Sequence, residues 1–181
     1  MKNIEVLQKF FKPNIRYLWW IILAFQILFL TLPLPTESTV MLYKNLKDLA
    51  NESSLIVKGI VIDIQCKWNP EHTLIISYIT IAVKEQYKGL QYKQTVIIEQ
   101  IGGELNGFFT RVVGAPEFKV GEEVVLFLEP SENDFYHVHG MFQGKYKIEG
   151  GKAKHLDDKR TLSWEDFERK MKDTLKEQLD R

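Results

Sequence analysis

Between Ser54 and Tyr87 the chain leaves little option but β-structure. "SLIVKGIVIDIQCKW" and "TLIISYITIAVKEQY" are dense in β-branched and apolar residues, and "NPEH" separates them as a turn. In the first run Ile60, Ile62, Ile64, Cys66 and Trp68 alternate with Val61, Asp63, Gln65 and Lys67. That is the period of a half-buried strand, and it predicts Cys66 facing the core. The second run is long enough to bend around a closed sheet. "KGLQ" turns the chain again, and "KQTVIIEQI", "EVVLFLEP", "FYHVHGMF" and "KYKIEGGKAKH" follow as further strands. With turns at this spacing and no helical period between them, the expected class is mainly β, an antiparallel barrel or sandwich.

Helices are expected at three places. "YLWWIILAFQILFLTLPLP", Tyr17 to Pro35, carries no charge, and Lys2, Lys9, Lys12 and Arg16 precede it against Glu5 alone. A basic flank before an apolar run is the layout of a signal peptide or signal anchor, with the remainder of the chain facing outward. Two readings stay open. An uncleaved anchor would hold the protein to the membrane through residues 17–34, with Trp19 and Trp20 at the interface and Pro33 and Pro35 ending the helix. A cleaved signal would be cut near Thr36 and Ser38 and would release a secreted protein. "NLKDLANESS" reads as a short helix with Leu46 and Leu49 on one face. At the C-terminus, Ser163 and Asp166 read as a capping-box variant, and Leu162 and Phe167 as a hydrophobic staple. Trp164, Phe167, Met171, Leu175 and Leu179 make one apolar stripe. Its charges nearly cancel, which favours a helix packed on the barrel over a membrane-surface helix. The expected domains are a signal or anchor over 1–38, a β-barrel over 39–155 and a C-terminal helix over 156–181.

"IGGELNGFFTRVVGAPEFKVGEE", Ile101 to Glu123, poses a sharper question, because closely spaced glycines either cradle a ligand or let a chain turn. Gly102 and Gly107 have Walker-loop spacing, but Phe108 and Phe109 stand where lysine and a hydroxyl residue are needed. No G-x-G-x-x-G is present, and the stretch runs from strand to strand, so no helix N-terminus awaits an anion. Gly102-Gly103 therefore reads as a corner or bulge, Gly107 as a return and Gly114-Ala115-Pro116 as another turn. Phe108 or Phe109 is then a candidate contact residue at a loop edge.

The set "SSLIVKGIV", "YKG", "IGGELNG", "GAPEFKVGEEVVLFL" and "QGKY" resembles a group of exported bacterial proteins of unassigned activity, over about residues 39–150. Its most specific part is the run from Gly114 to Leu128. The layout is also similar, more weakly, to netrin-like or metalloproteinase-inhibitor-like domains. That likeness implies an OB-like barrel, which the hydrophobic N-terminal helix and the amphipathic C-terminal helix read from the residues would flank. Those inhibitors reach a metal with a mature N-terminal cysteine. This chain has none near Thr39, so the likeness implies the barrel and not the inhibition.

Chemistry-bearing residues are few. His137 and His139, two apart on a strand, point the same way and are the candidate metal ligands, with His155 or His72 as a third. No H-E-x-x-H is present. Cys66 is the only cysteine, so no internal disulfide or multi-cysteine zinc site can form; beside a histidine it would be a thiol nucleophile, but a core-facing thiol is inert. Ser53 and Ser54 lack a nucleophile elbow. Glu99, Glu104, Glu122 and Glu123 flank turns and read as surface residues. With 24 basic against 24 acidic side chains, the charge argues against nucleic-acid binding, and no motif calls for a cofactor. The leading expectation is an extracytoplasmic, membrane-associated binding or interaction module without catalytic activity, taking a protein or small-molecule ligand. Its contact surface would be the loop from Gly102 to Phe109 with Tyr136, His137 and His139. The alternatives are a metal-dependent hydrolase using the His137/His139 pair and a structural envelope protein.

Overall fold

The computed structural model describes residues 15–30, 42–156 and 161–179. The chain forms two compact units, residues 1–40 and 41–181. In the first, helix α1 runs over Ile15–Leu30 and carries one charge, Arg16. Its 16 residues rise about 24 Å, short of the ~20 residues that span a bilayer core. Among the described residues no helix is long and apolar enough to cross a membrane. The segment expected to do so extends past Leu30, and its residues 31–34 lie outside the described ones.

The second unit is mainly β. It begins with the short helix α2 (Leu46–Glu52), which Asn45 starts through a capping box with Asp48. Ten strands follow: β1 (Leu55–Trp68), β2 (Ile75–Lys88), β3 (Thr95–Ile101), β4 (Gly103–Leu105), β5 (Phe108–Thr110), β6 (Glu123–Pro130), β7 (Tyr136–Val138), β8 (Lys145–Glu149), β9 (Lys152–Lys154) and β10 (Leu162–Ser163). Helix α3 (Trp164–Leu179) ends the unit. Five strands close a barrel in the order β1-β2-β3-β7-β6 and back to β1. The closure is not wholly antiparallel, as the turn pattern predicts, because β3 and β7 run parallel through Ile98 and Tyr136. Between them the chain makes the β4–β5 hairpin and β6, so β7 enters in the same sense as β3.

The barrel is filled by Val57, Val61, Ile79, Ile81, Val96, Ile98, Val124, Leu126, Leu128 and their neighbours. A second core lies outside the wall, where Ile56, Val125, Phe127, Tyr146 and Ala153 meet Leu49 and Ala50 of α2 and Phe167 and Met171 of α3. This is why Val124 to Leu128 are all buried: β6 has a core on each face. Helix α3 packs as the stripe predicts, except that Leu179 is exposed and the contact ends at Leu175. Ser163 accepts from the Asp166 amide and donates its hydroxyl to the Asp166 carboxylate.

The register of β1 departs from simple alternation. Val61 pairs with Ile81, but the next pair is Asp63 with Thr80, so Ile62 is an extra residue in a β-bulge. Val61 is fully buried and Ile62 is 49% exposed. One inserted residue moves every later side chain to the other face, so only Ile64 and Cys66 keep the inward register read from the sequence.

Candidate functional site

The barrel wall is incomplete at one end. Strand β6 pairs with β1 only as far as Ile60 and Glu123, whereas β1 runs on to Trp68 paired with β2 alone. The β4–β5 hairpin and residues 111–119 occupy the place of the missing strand, and between them and the sheet lies a cavity of about 410 Å³. Ile64 and Cys66 of β1 and Ser77 and Ile79 of β2 form its floor. Gln100 to Glu104, Phe109 to Val112 and Ala115 to Lys119 complete the lining.

The floor's polar atoms bond to one another. The Ser77 hydroxyl donates to the Gly102 carbonyl at 2.6 Å. Its single proton is thereby committed, so in the 3.3 Å contact between Cys66 Sγ and Ser77 Oγ the thiol is the donor. The Gly102 amide in turn donates to the Ile75 carbonyl at 2.8 Å. Gly102-Gly103 is thus a backbone corner and also a wall of the cavity. Gly103 has φ +134°, and a Cβ there would stand 2.6 Å from Ser77 Oγ and 2.8 Å from Cys66 Sγ. At the hairpin tip Asn106 and Gly107 both have positive φ, the conformation a two-residue hairpin turn requires.

The far wall is held from outside. Gln100 donates its amide N–H to the Pro116 carbonyl at 3.1 Å. Phe118 packs on the barrel core, with the Lys145 ammonium 4.5 Å from its ring centre. Lys145 also donates to the Glu117 carbonyl and pairs with Glu122 at 2.7 Å. Burial lowers the Lys145 pKa and Glu122 opposes that shift. Glu122, read from sequence as a surface acid, is half-buried, and its side chain is largely covered where it pairs with Lys145. Glu99 accepts from Ser131, Glu123 pairs with Lys84, and Glu104 is exposed.

The expected contact residues separate. Phe108 and Phe109 are 61% and 66% exposed; Phe109 lines the cavity, and Phe108 lies edge-on to Trp68 with ring centres 5.5 Å apart. Tyr136, His137 and His139 do not line it. Tyr136 is half-buried against the barrel core under Lys93. Glu129, opposite His137 on the ladder, hydrogen-bonds His137 Nε2 at 2.9 Å, and its other oxygen lies against His139 Nδ1. His139 is buried and bonds Glu52 through Nε2 at 3.1 Å, and Lys44 pairs with Glu52 as well. Burial lowers the His139 pKa; Glu52 opposes that and Lys44 adds to it. The two further histidines proposed as a third ligand stand elsewhere: His72 in the β1–β2 turn near Trp68, and His155 buried beside Phe142 and Tyr146. Among the described residues no three His, Cys, Asp or Glu side chains are placed to hold a metal ion.

Several residues of the quoted motifs serve the scaffold. Lys88 donates to the Ala50 and Asn51 carbonyls at the end of α2. Gln143 accepts from the Lys44 amide and donates to the Leu42 carbonyl. Gly144 has no room for a side chain, since a Cβ would lie 2.2 Å from the His139 carbonyl oxygen. Only "IGGE" and "APEFK" reach the cavity. Sequence reasoning missed the roles of Ser77, Gln100, Arg111 and Lys119 there; the one local signal was the glycine pair, which leaves room where a side chain would close the floor. In comparison with known proteins, the chain matches no family model and no curated protein.

Proposed function

We propose that this protein is a non-catalytic, extracytoplasmic binding module, an OB-like barrel whose ligand enters the open end beneath the β4–β5 hairpin. The observation that carries the reading is the cavity itself, walled by apolar side chains from three strands and closed by a loop clamped through Lys145 and Glu122. Its volume falls within the ~300–1,000 Å³ of small-molecule sites. The OB-like assignment is supported by five strands closing with a parallel β3–β7 pair. Export is supported by the basic flank and the uncharged run after Arg16. The histidine pair gives the hydrolase reading no such support, because Glu129 spans the two rings.

Native mass spectrometry of the full chain, purified without denaturation, tests the module. Wild type should carry a small molecule that is released on unfolding, and Ala115→Trp, which fills the mouth, should not. Bare protein mass in both would sink the reading.

A further inference from the structure

The lining allows the ligand's chemistry to be named, and this step rests on the binding reading above. The cavity offers no unspent hydrogen-bond donor on its floor. The Cys66 thiol donates to Ser77, and Ser77 donates to the Gly102 carbonyl. What remains facing inward is aliphatic, aromatic and sulfur surface from Ile64, Ile79, Phe118 and Cys66. Charge at the rim cancels: Glu104 and Glu117 stand against Arg111 and Lys119, and Arg111 already pairs with Glu117 at 2.9 Å. A carboxylate or ammonium seated on this floor would lose its water and find no counter-charge there, since the charges of the lining stand at the rim, which is costly. An apolar group loses only unfavourable hydration there. The apolar surface also continues past the mouth, where Ile101 is 47% and Phe109 66% exposed. We infer that the cavity takes a predominantly apolar small molecule, an uncharged hydrocarbon end against Cys66 and any polar end at the rim.

Cys66, the only cysteine, reports on the floor. The rate of its modification by methyl methanethiosulfonate is measured on the full chain with 1-octanol, octane-1,8-dioate or octane-1,8-diammonium at one free concentration, because a chain charged at both ends must bring a charge to the floor. The same solutes should leave the rate of the urea-unfolded chain unchanged. Octanol should slow the native rate about tenfold or more, and the two ions less than about twofold. In Val112→Asp, which places a charge on the wall, octanol protection should disappear while the melting temperature stays near wild type. Equal protection by the ions would overturn the ligand class and leave the binding reading standing. No protection by octanol, or full protection in a folded Val112→Asp, would also overturn the class. Whether the cavity holds any ligand is decided separately by the native mass measurement.

Discussion

The Glu122 carboxylate stands 2.7 Å from the Lys145 ammonium, and the two side chains are only 8% and 11% exposed. The pair joins the loop that walls the cavity to β8. Removing one partner leaves the other buried and unpaired, so Glu122→Gln or Lys145→Met should each destabilise by roughly 3–5 kcal/mol. The double variant Glu122→Leu/Lys145→Met should recover much of that loss, because no charge is then stranded. Equilibrium urea unfolding of the three variants checks this; single variants as stable as wild type would show that the pair is solvated.

Gly103→Ala should cost more than Gly107→Ala. Both positions have positive φ, but a Cβ at Gly103 collides with Ser77 and Cys66, whereas at Gly107 it meets nothing within 4 Å. About 1 kcal/mol is expected at Gly107 from the backbone alone. Gly103 adds overpacking of roughly 1–3 kcal/mol. Urea midpoints in the reverse order would refute the corner geometry.

Phe109→Ala should change stability by less than about 0.5 kcal/mol, as for an exposed surface side chain. Phe108→Ala should lose roughly 0.5–1.5 kcal/mol with the Trp68 contact. If binding uses the cavity mouth, Phe109→Ala is the variant that weakens octanol protection of Cys66. A loss of several kcal/mol at either position would mean that the ring is core.

Acidification should destabilise the fold through His139. Its folded pKa lies below the ordinary 6.5 because it is buried. The unfolded chain therefore takes up a proton first, and stability falls as pH drops through about 6.5. Glu52, lowered chiefly by its bond to Lys44, acts in the same sense below its ordinary 4.5, though it is exposed. The wild-type urea midpoint should fall between about pH 7.5 and 5.5, and His139→Gln should flatten that slope. A midpoint that rises on acidification would show that Glu52 and Glu129 outweigh burial.

Export orientation has its own test. Protease added to intact spheroplasts making the full chain should digest the C-terminal helix, with the basic N-terminus inside. A protected C-terminus would reverse the orientation.

Local chemistry was readable from the residues themselves. The β-branched, apolar run through Ile75 to Ile81 states a strand, Ser163 states a helix start, and the glycine pair states a corner, because each depends on neighbours within a few positions. The bulge at Ile62 was not readable. It arises where β1 answers two partners of different reach, β2 along its length and β6 only to Ile60, and no residue of β1 encodes that mismatch alone. The burial of Glu122 depends on Lys145, 23 positions away, and the join of His139 to Glu52 spans 87. The cavity is the plainest case: it exists because β6 parts from β1 at Ile60 and a loop stands in for the absent strand. Sequence alone determined the long strands β1, β2, β3 and β6 and the two helices of the second unit, but not the short strands β4, β5, β9 and β10. Only the closing of those strands on one another decided which side chains share a floor, because that is set by pairing register across the whole barrel.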